Sequence, residues 1–113
     1  MLGFFEGYSA ICEYINKFSL PEVFVAINDT IAYGIAKGLK EHGKRIPQDV
    51  SIVGFDDLDI PTIDTIGLTT VKIPLKEMAE LCINILKEAS IKKIIKHYIL
   101  PTEVIVRESV AIK

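Results

Sequence analysis

Two short apolar runs, each followed by a pair of polar residues, constrain the fold of this chain more than any other feature. The runs lie at residues 23–27 and 50–55, and both are rich in β-branched side chains. A short, continuous apolar run is typical of a strand that is buried on both faces of a parallel sheet. The first run is followed by Asn-Asp and the second by Asp-Asp. The sequence therefore predicts two buried strands with polar ends.

Segments with helical periodicity alternate with these runs. The spacing of apolar residues predicts helices over about 7–18, 30–42 and 75–90, a further strand over 68–73 and an extended tail over 97–106. Such alternation predicts an α/β fold with a parallel sheet and flanking helices. Since so few elements cannot cover both faces of a sheet, we expect part of a domain rather than a whole one.

The helix predicted at 30–42 has distinctive ends and an unusual pair of glycines. We predict that Asp29 is its N-cap and that Gly43 stands at its C-terminus. Gly34 and Gly38 lie four residues apart inside it, and each costs about 1 kcal/mol relative to alanine. This cost predicts that another element packs closely against the glycine face.

Composition excludes several classes of protein. The 113 residues suffice for one domain at most, and the net charge of −2 argues against a nucleic-acid-binding module. No apolar run has the length of a membrane span, and the first residues, which lack a basic stretch, do not predict a cleavable signal. Cys12 and Cys82 fall on apolar helix faces and are predicted to be buried in a protein of the reducing cytosol.

The polar pairs are the candidate site. Ligands of open α/β sheets bind at the carboxyl ends of the strands, and Asn28 and Asp56 occupy such positions. An amide and a carboxylate could bond the hydroxyls of a sugar or the edge of a base, whereas the alternative is that these residues only cap helices and turns. For Asp29 capping is the better interpretation, and for Asp57 the two are balanced.

Enzyme and metal motifs are incomplete. The Asp-Leu-Asp at 57–59 is similar to a phosphatase motif, but Pro61 stands where that motif has Thr or Val. A calcium loop from the same start has Pro61 at a ligand position and Thr62 in place of its glycine. No phosphate-binding glycine loop is present. We therefore predict no catalytic residue, no metal and no cofactor.

Four blocks, in order along the chain, resemble one family. Residues 21–34 read PEVFVAINDTIAYG, similar to that family's P-T-A-apolar-N-D-x-x-A-x-G. Residues 46–57 read IPQDVSIVGFDD, similar to V-P-x-D-[IV]-S-[IV]-[IV]-G-[FY]-D-[DN]. The LTTV at 68–71 and the LP and RES of 100–109 resemble its remaining motifs. Together they identify a chain that resembles the lactose-repressor/galactose-repressor family of bacterial transcription regulators.

This resemblance implies an incomplete periplasmic-binding-protein-like fold. In the family a helix-turn-helix head reads the operator, and two lobes hold an effector between them. The chain resembles the C-terminal portion of the effector-binding domain, with the DNA-binding head absent. It implies that residues 1–67 belong mainly to the second lobe, and 68–113 to crossing strands and a returning helix.

The resemblance also implies roles for particular residues. The effector would be bound by Asn28, Asp56, Leu75 and Asp57. Tyr33 and Lys37 would lie near an interface between two subunits.

The function implied is that of a cytoplasmic sensor. A small effector, most simply a sugar, would control operator binding allosterically, and a homodimer would contact DNA only through the missing head. The alternative is a periplasmic or extracellular sugar-binding protein, which shares the architecture. Neither reading involves a membrane contact.

Overall fold

The two apolar runs form neighbouring parallel strands. The computed structural model describes residues 3–59, 66–89 and 97–111. Its elements, in chain order, are α1 (Phe4–Lys17), β1 (Val23–Val25), α2 (Asp29–Glu41), β2 (Ser51–Asp56), β3 (Thr69–Lys72), α3 (Leu75–Ala89) and β4 (Glu103–Ile105).

The strands make one sheet in the order β1-β2-β3-β4. β2 pairs in parallel with β1, where Val25 lies opposite Val53, and with β3, where Asp56 lies opposite Lys72. The predicted α/β fold with a parallel sheet and flanking helices is confirmed. Because β1 and β2 run the same way, the polar residues after them lie at one edge of the sheet.

The chain divides into two compact units. The first contains residues 1–72 and 104–113, and the second contains residues 73–103, of which α3 is the main element. The assignment of residues 1–67 and 68–113 to parts of two lobes stays a prediction.

The glycines of α2 lie against α1, as their spacing predicts. A Cβ atom on Gly34 would collide with the backbone carbonyl of Phe4, and one on Gly38 with the side chain of Ile11. On α1, a Cβ atom at Gly7 would meet the backbone of Ile31. The two helices thus approach each other closely enough that backbone touches backbone, which compensates for the low helix propensity of glycine.

The core lies between these helices and one face of the sheet. Its apolar members alternate along the strands and recur every three or four residues along the helices. The buried apolar residues are Ile11, Ala26, Ala32, Ala36, Leu39, Val50, Ile52 and Leu68.

The C-terminal segment is fastened into this core by Ser109, which is fully buried. Its hydroxyl donates to the carbonyl of Ile52 at 2.6 Å and accepts from the amide of Thr69 at 2.8 Å. The carbonyl of Ser109 accepts from the amide of Ile52 at 2.9 Å. β3 begins only at Thr69, so it does not reach the amide of Ile52. Ser109 makes the hydrogen bond to β2 at this position instead.

Two local predictions are wrong. Helix α2 begins at Asp29, and its N-cap is Asn28, whose Oδ1 accepts from the amide of Ile31 at 2.8 Å. Both residue types cap helices well, so the sequence pattern does not separate adjacent candidates. At the other end, Gly43 has φ 70° just past the helix, as predicted.

The predicted burial of Cys82 is also wrong. Cys82 is exposed and Cys12 is only partly buried. Met78 and Leu86, on the same predicted apolar stripe of α3, are 40% and 69% exposed. Helical periodicity shows which residues share a face but not whether that face is covered.

Part of the predicted loop at 58–67, with Pro61 and Thr62, and the predicted helix end at Ser90 lie outside the described residues. Within the described ranges, no helix combines the length and apolarity needed to cross a membrane.

Candidate functional site

The carboxyl end of β2 is a turn in an unusual conformation. Asp56, the last residue of the strand, has φ 106°, and Asp57 has φ 55°. Residues other than glycine seldom adopt positive φ, and each residue in this conformation costs about 1–3 kcal/mol of stability. Two in succession persist only where surrounding contacts hold them.

The buried carboxylate of Asp29 contacts this turn directly at Leu58 and indirectly through Thr70, whose hydroxyl accepts from the amide of Asp57 at 3.4 Å. Asp29 is 1% exposed, and its Oδ2 accepts from the amide of Leu58 at 2.8 Å. Its Oδ1 accepts from the hydroxyl of Thr70 at 2.6 Å. A Cβ atom on residue 54 would collide with this carboxylate, so β2 can lie against Asp29 only because residue 54 is glycine. The role of Asp29 is thus structural, although it is not the predicted cap.

Arg107 contacts the same turn through the side chain of Asp57. Its Nη2 donates to Asp57 Oδ1 at 2.7 Å and its Nη1 to the carbonyl of Leu68 at 2.9 Å. The hydrogen bond to Asp57 raises the pKa of the guanidinium, so Arg107 keeps its positive charge. The sequence prediction placed Arg107 in the closing RES block and gave it no role in the site. Its partner lies 50 positions earlier, so spacing alone could not pair them.

A cavity of about 340 Å³ lies beside this ion pair, within the first unit. The residues that line it are Tyr33, Asp57, Leu58, Asp59, Ile66, Gly67, Leu68 and Arg107. Burial, with a smaller contribution from the charge of Asp29, raises the pKa of the Tyr33 phenol, which is therefore neutral and able to donate.

The predicted effector residues divide into three groups. Asn28 follows β1, Asp56 ends the adjacent parallel strand β2, and both are partly buried. Asp57 lines the cavity and uses one oxygen on Arg107. Leu75 begins α3, in the second unit, and is 55% exposed. Contact of these four residues with an effector stays a prediction.

The predicted interface residues lie one turn apart on α2. Tyr33 lines the cavity, whereas Lys37 is exposed and its Nζ lies 2.8 Å from Glu41 Oε1. Glu41 also accepts from the hydroxyl of Tyr8 on α1 at 2.6 Å, which raises the pKa of Tyr8 to about 12. Their role in pairing two subunits also stays a prediction.

Among the described residues, no three His, Cys, Asp or Glu side chains are grouped so that they could hold a metal ion. What the geometry offers is an amide and a carboxylate near one edge of the sheet. These groups bind neutral polar ligands by hydrogen bonds.

Comparison with known proteins identifies the family. A model of the periplasmic binding protein-like domain matches residues 4–110. The HTH-type transcriptional repressor MelR of Bacillus subtilis (strain 168) is 34% identical over 105 residues, which cover 92% of this chain and 30% of MelR. The lactose operon repressor of Rhizobium radiobacter is 36% identical over 90 residues, which cover 79% of this chain and 80% of that protein. The chain belongs to the lactose-repressor/galactose-repressor family.

Solved structures of this family show the same fold. The regulator from Enterococcus faecalis V583, with bound ribose, is 35% identical with a TM-score of 0.85; the match covers 98% of this chain and 42% of that one. An Enterococcus faecium regulator, also with bound ribose, is 30% identical with a TM-score of 0.85, covering 98% and 41%. This member of the lactose-repressor/galactose-repressor family thus spans less than half of these relatives and 30% of MelR. They are regulators rather than enzymes, which confirms the prediction of a non-enzyme.

Proposed function

We propose that this chain senses a small sugar for a transcriptional repressor. The observation that supports the proposal is the position of Asn28 and Asp56 at the carboxyl ends of two adjacent parallel strands, the edge at which ligands of open α/β sheets bind. The bound ribose in the two Enterococcus regulators supports a sugar as the class of effector.

Each proposed effector residue has a distinct part. Asp56 accepts hydrogen bonds from sugar hydroxyls, and the amide nitrogen of Asn28 donates, since its Oδ1 already caps α2. Leu75 packs on the apolar face of the ring. Asp57 contributes its second carboxylate oxygen, because the first is bound to Arg107.

The proposed mechanism is a shift of population between two arrangements of lobes. An effector biases this equilibrium only by binding one arrangement more tightly than the other. The moving parts would be the segments that cross between lobes, around Thr69-Thr70 and Leu100-Pro101. Two subunits would pair through α2, with Tyr33 and Lys37 at the interface, and a helix-turn-helix head outside this chain would bind the operator in the cytoplasm.

Titration of the ¹⁵N-labelled chain with D-ribose, and with other pentoses and hexoses in parallel, tests the proposal. We expect amide shifts around Asn28 and Asp56 that saturate with at least one sugar, and no saturable shift in the Asp56→Ala variant. The matched control is Asp49→Ala, since Asp49 is an aspartate paired with Arg45 just before the start of β2, at the end of the strand opposite to Asp56. Equal sugar binding by the Asp56→Ala variant would show that Asp56 does not contact the effector.

A further inference from the structure

We propose that Arg107 is a positioning residue, which holds the Asp56-Asp57 turn in its left-handed conformation and so sets where the Asp56 carboxylate points. The inference rests on the proposed role of Asp56 in effector binding. Arg107 itself touches no effector in this proposal, since both of its assigned contacts are within the chain.

The guanidinium bridges the turn and the sheet. Nη2 bonds Asp57 Oδ1 and Nη1 bonds the carbonyl of Leu68, the residue that precedes β3. Because the guanidinium is planar and rigid, these two acceptors are held at a fixed separation. A lysine ammonium in its place is a single point charge and lacks this planar fork.

The base of the arginine is anchored as well. Its amide donates to Thr69 Oγ1 at 2.9 Å, and the hydroxyl of Thr69 donates to its carbonyl at 3.1 Å. Thr69 is 4% exposed, and Ser109, two residues beyond Arg107, is fully buried. The side chain of Arg107 therefore extends from a stretch of backbone that is fixed in place. An arginine in an ordinary surface ion pair lacks such an anchor.

The turn needs this support because its other bonds leave the Asp57 side chain unrestrained. The amide of Leu58 is held by Asp29 at 2.8 Å, but the amide of Asp57 reaches Thr70 Oγ1 only at 3.4 Å. In the described part of the chain, Arg107 is the one cation within ion-pair distance of Asp57. Its bond offsets the strain of two consecutive positive φ angles.

Partial burial strengthens the pair. The side chain of Asp57 is 18% exposed and that of Arg107 is 37% exposed, so water screens their attraction less than at an open surface. By contrast, the Arg45–Asp49 pair has the same 2.7 Å separation, but Arg45 is 71% exposed. This second pair is a natural internal control.

The experiment compares Arg107→Gln, Arg107→Lys and Asp57→Asn with the control Arg45→Gln, each in the full 113-residue chain. The first readout needs no ligand: a strong intraresidue amide–Hα NOE at residues 56 and 57, which is typical of positive φ. The second readout is the affinity for D-ribose by the same NMR titration. Asp57→Asn removes the charge and replaces one acceptor oxygen by an NH2 group, while asparagine still tolerates positive φ. Because Asp57 is itself a proposed effector residue, this variant is compared by its NOEs alone.

We expect Arg107→Gln and Asp57→Asn to weaken the NOEs at both residues, and Arg107→Gln to reduce ribose affinity about tenfold, which corresponds to about 1.4 kcal/mol. Arg107→Lys should recover part of both, and Arg45→Gln should change neither. Unchanged NOEs in Arg107→Gln and Asp57→Asn would overturn the inference, and so would lost NOEs with undiminished affinity. Absence of ribose binding by the unsubstituted chain would count against the proposed function instead, and the NOEs would then decide alone whether Arg107 holds the turn.

Discussion

At the scale of single residues, the turn after β2 places conformational strain next to the proposed effector contact. Asp56 and Asp57 both have positive φ, although neither is glycine. Strained residues tend to occur at binding sites, because the surrounding structure fixes a side chain in an orientation that relaxed backbone would not give. Selection for stability alone would place glycine at residue 56, so the aspartate is best explained by a function of its carboxylate.

This argument predicts that Asp56→Gly separates stability from binding. Relief of strain of about 1–3 kcal/mol outweighs the entropic cost of glycine of about 0.5–1 kcal/mol, so the free energy of unfolding stays equal or rises by ~1 kcal/mol. Ribose binding is lost together with the carboxylate. The control is Lys72→Gly, at the exposed residue opposite Asp56 on β3, which we expect to lower stability by about 0.5–1 kcal/mol. Urea unfolding measures the free energy of unfolding of both variants. If Asp56→Gly loses as much stability as Lys72→Gly, the strain argument is refuted.

At the scale of elements, the contact between α1 and α2 depends on which atoms face each glycine. An added Cβ at Gly34 meets the carbonyl of Phe4 and lies 2.8 Å from the amide of Tyr8, both of them backbone. At Gly38 the main obstacle is the side chain of Ile11. Backbone cannot rotate away, so the helices must separate at Gly34. At Gly38 a side chain can shift instead, but Ile11 is buried and stiff at χ1, so this shift also has a cost.

We therefore predict that Gly34→Ala destabilises the chain more than Gly38→Ala. The forced separation of the helices costs about 1–3 kcal/mol at Gly34, in spite of the gain of about 1 kcal/mol in helix propensity. At Gly38 the cost of displacing Ile11 is smaller than that of separating two backbones, so the net destabilisation is smaller than at Gly34. Thermal and urea unfolding of both variants provide the comparison, and Ser9→Ala, on the exposed face of α1, controls for helix propensity. Equal stability of the two glycine variants would contradict the backbone contact.

The elements also show how far sequence can predict this molecule. The order of the elements and the parallel pairing of β1, β2 and β3 follow from apolar periodicity, and the glycine pair predicts a close helix contact. The location of Asn28 and Asp56 at strand ends was predictable because the chain itself places them there, whereas their contact with an effector stays a prediction. The bond of Arg107 to Asp57 and the exposure of Cys82 were not found, since both depend on which segments meet in space.

At the scale of the whole molecule, much apolar surface is uncovered. β1 is the terminal strand of the sheet, and the alternate residues Val23, Val25 and Ile27 are 43%, 74% and 68% exposed. Phe55, on neighbouring β2, is 38% exposed. A terminal strand with apolar side chains is a template for pairing with another chain, because its outer backbone groups face solvent.

We therefore predict that the chain associates with itself in solution, by dimerisation or by exchange of elements. Sedimentation velocity and light scattering over a range of concentrations measure this, and we expect the average mass to exceed 12.6 kDa as concentration rises. Val25→Lys puts a charge on the terminal strand and should reduce association. Ile99→Lys removes an apolar side chain that is 95% exposed but lies outside the strands, so it should leave association unchanged. If both variants reduce association equally, general apolar exposure rather than the strand edge drives it. A clean monomer at high concentration would show instead that the exposed faces of this chain are tolerated in water, and that neither the edge of β1 nor its apolar face recruits a second copy.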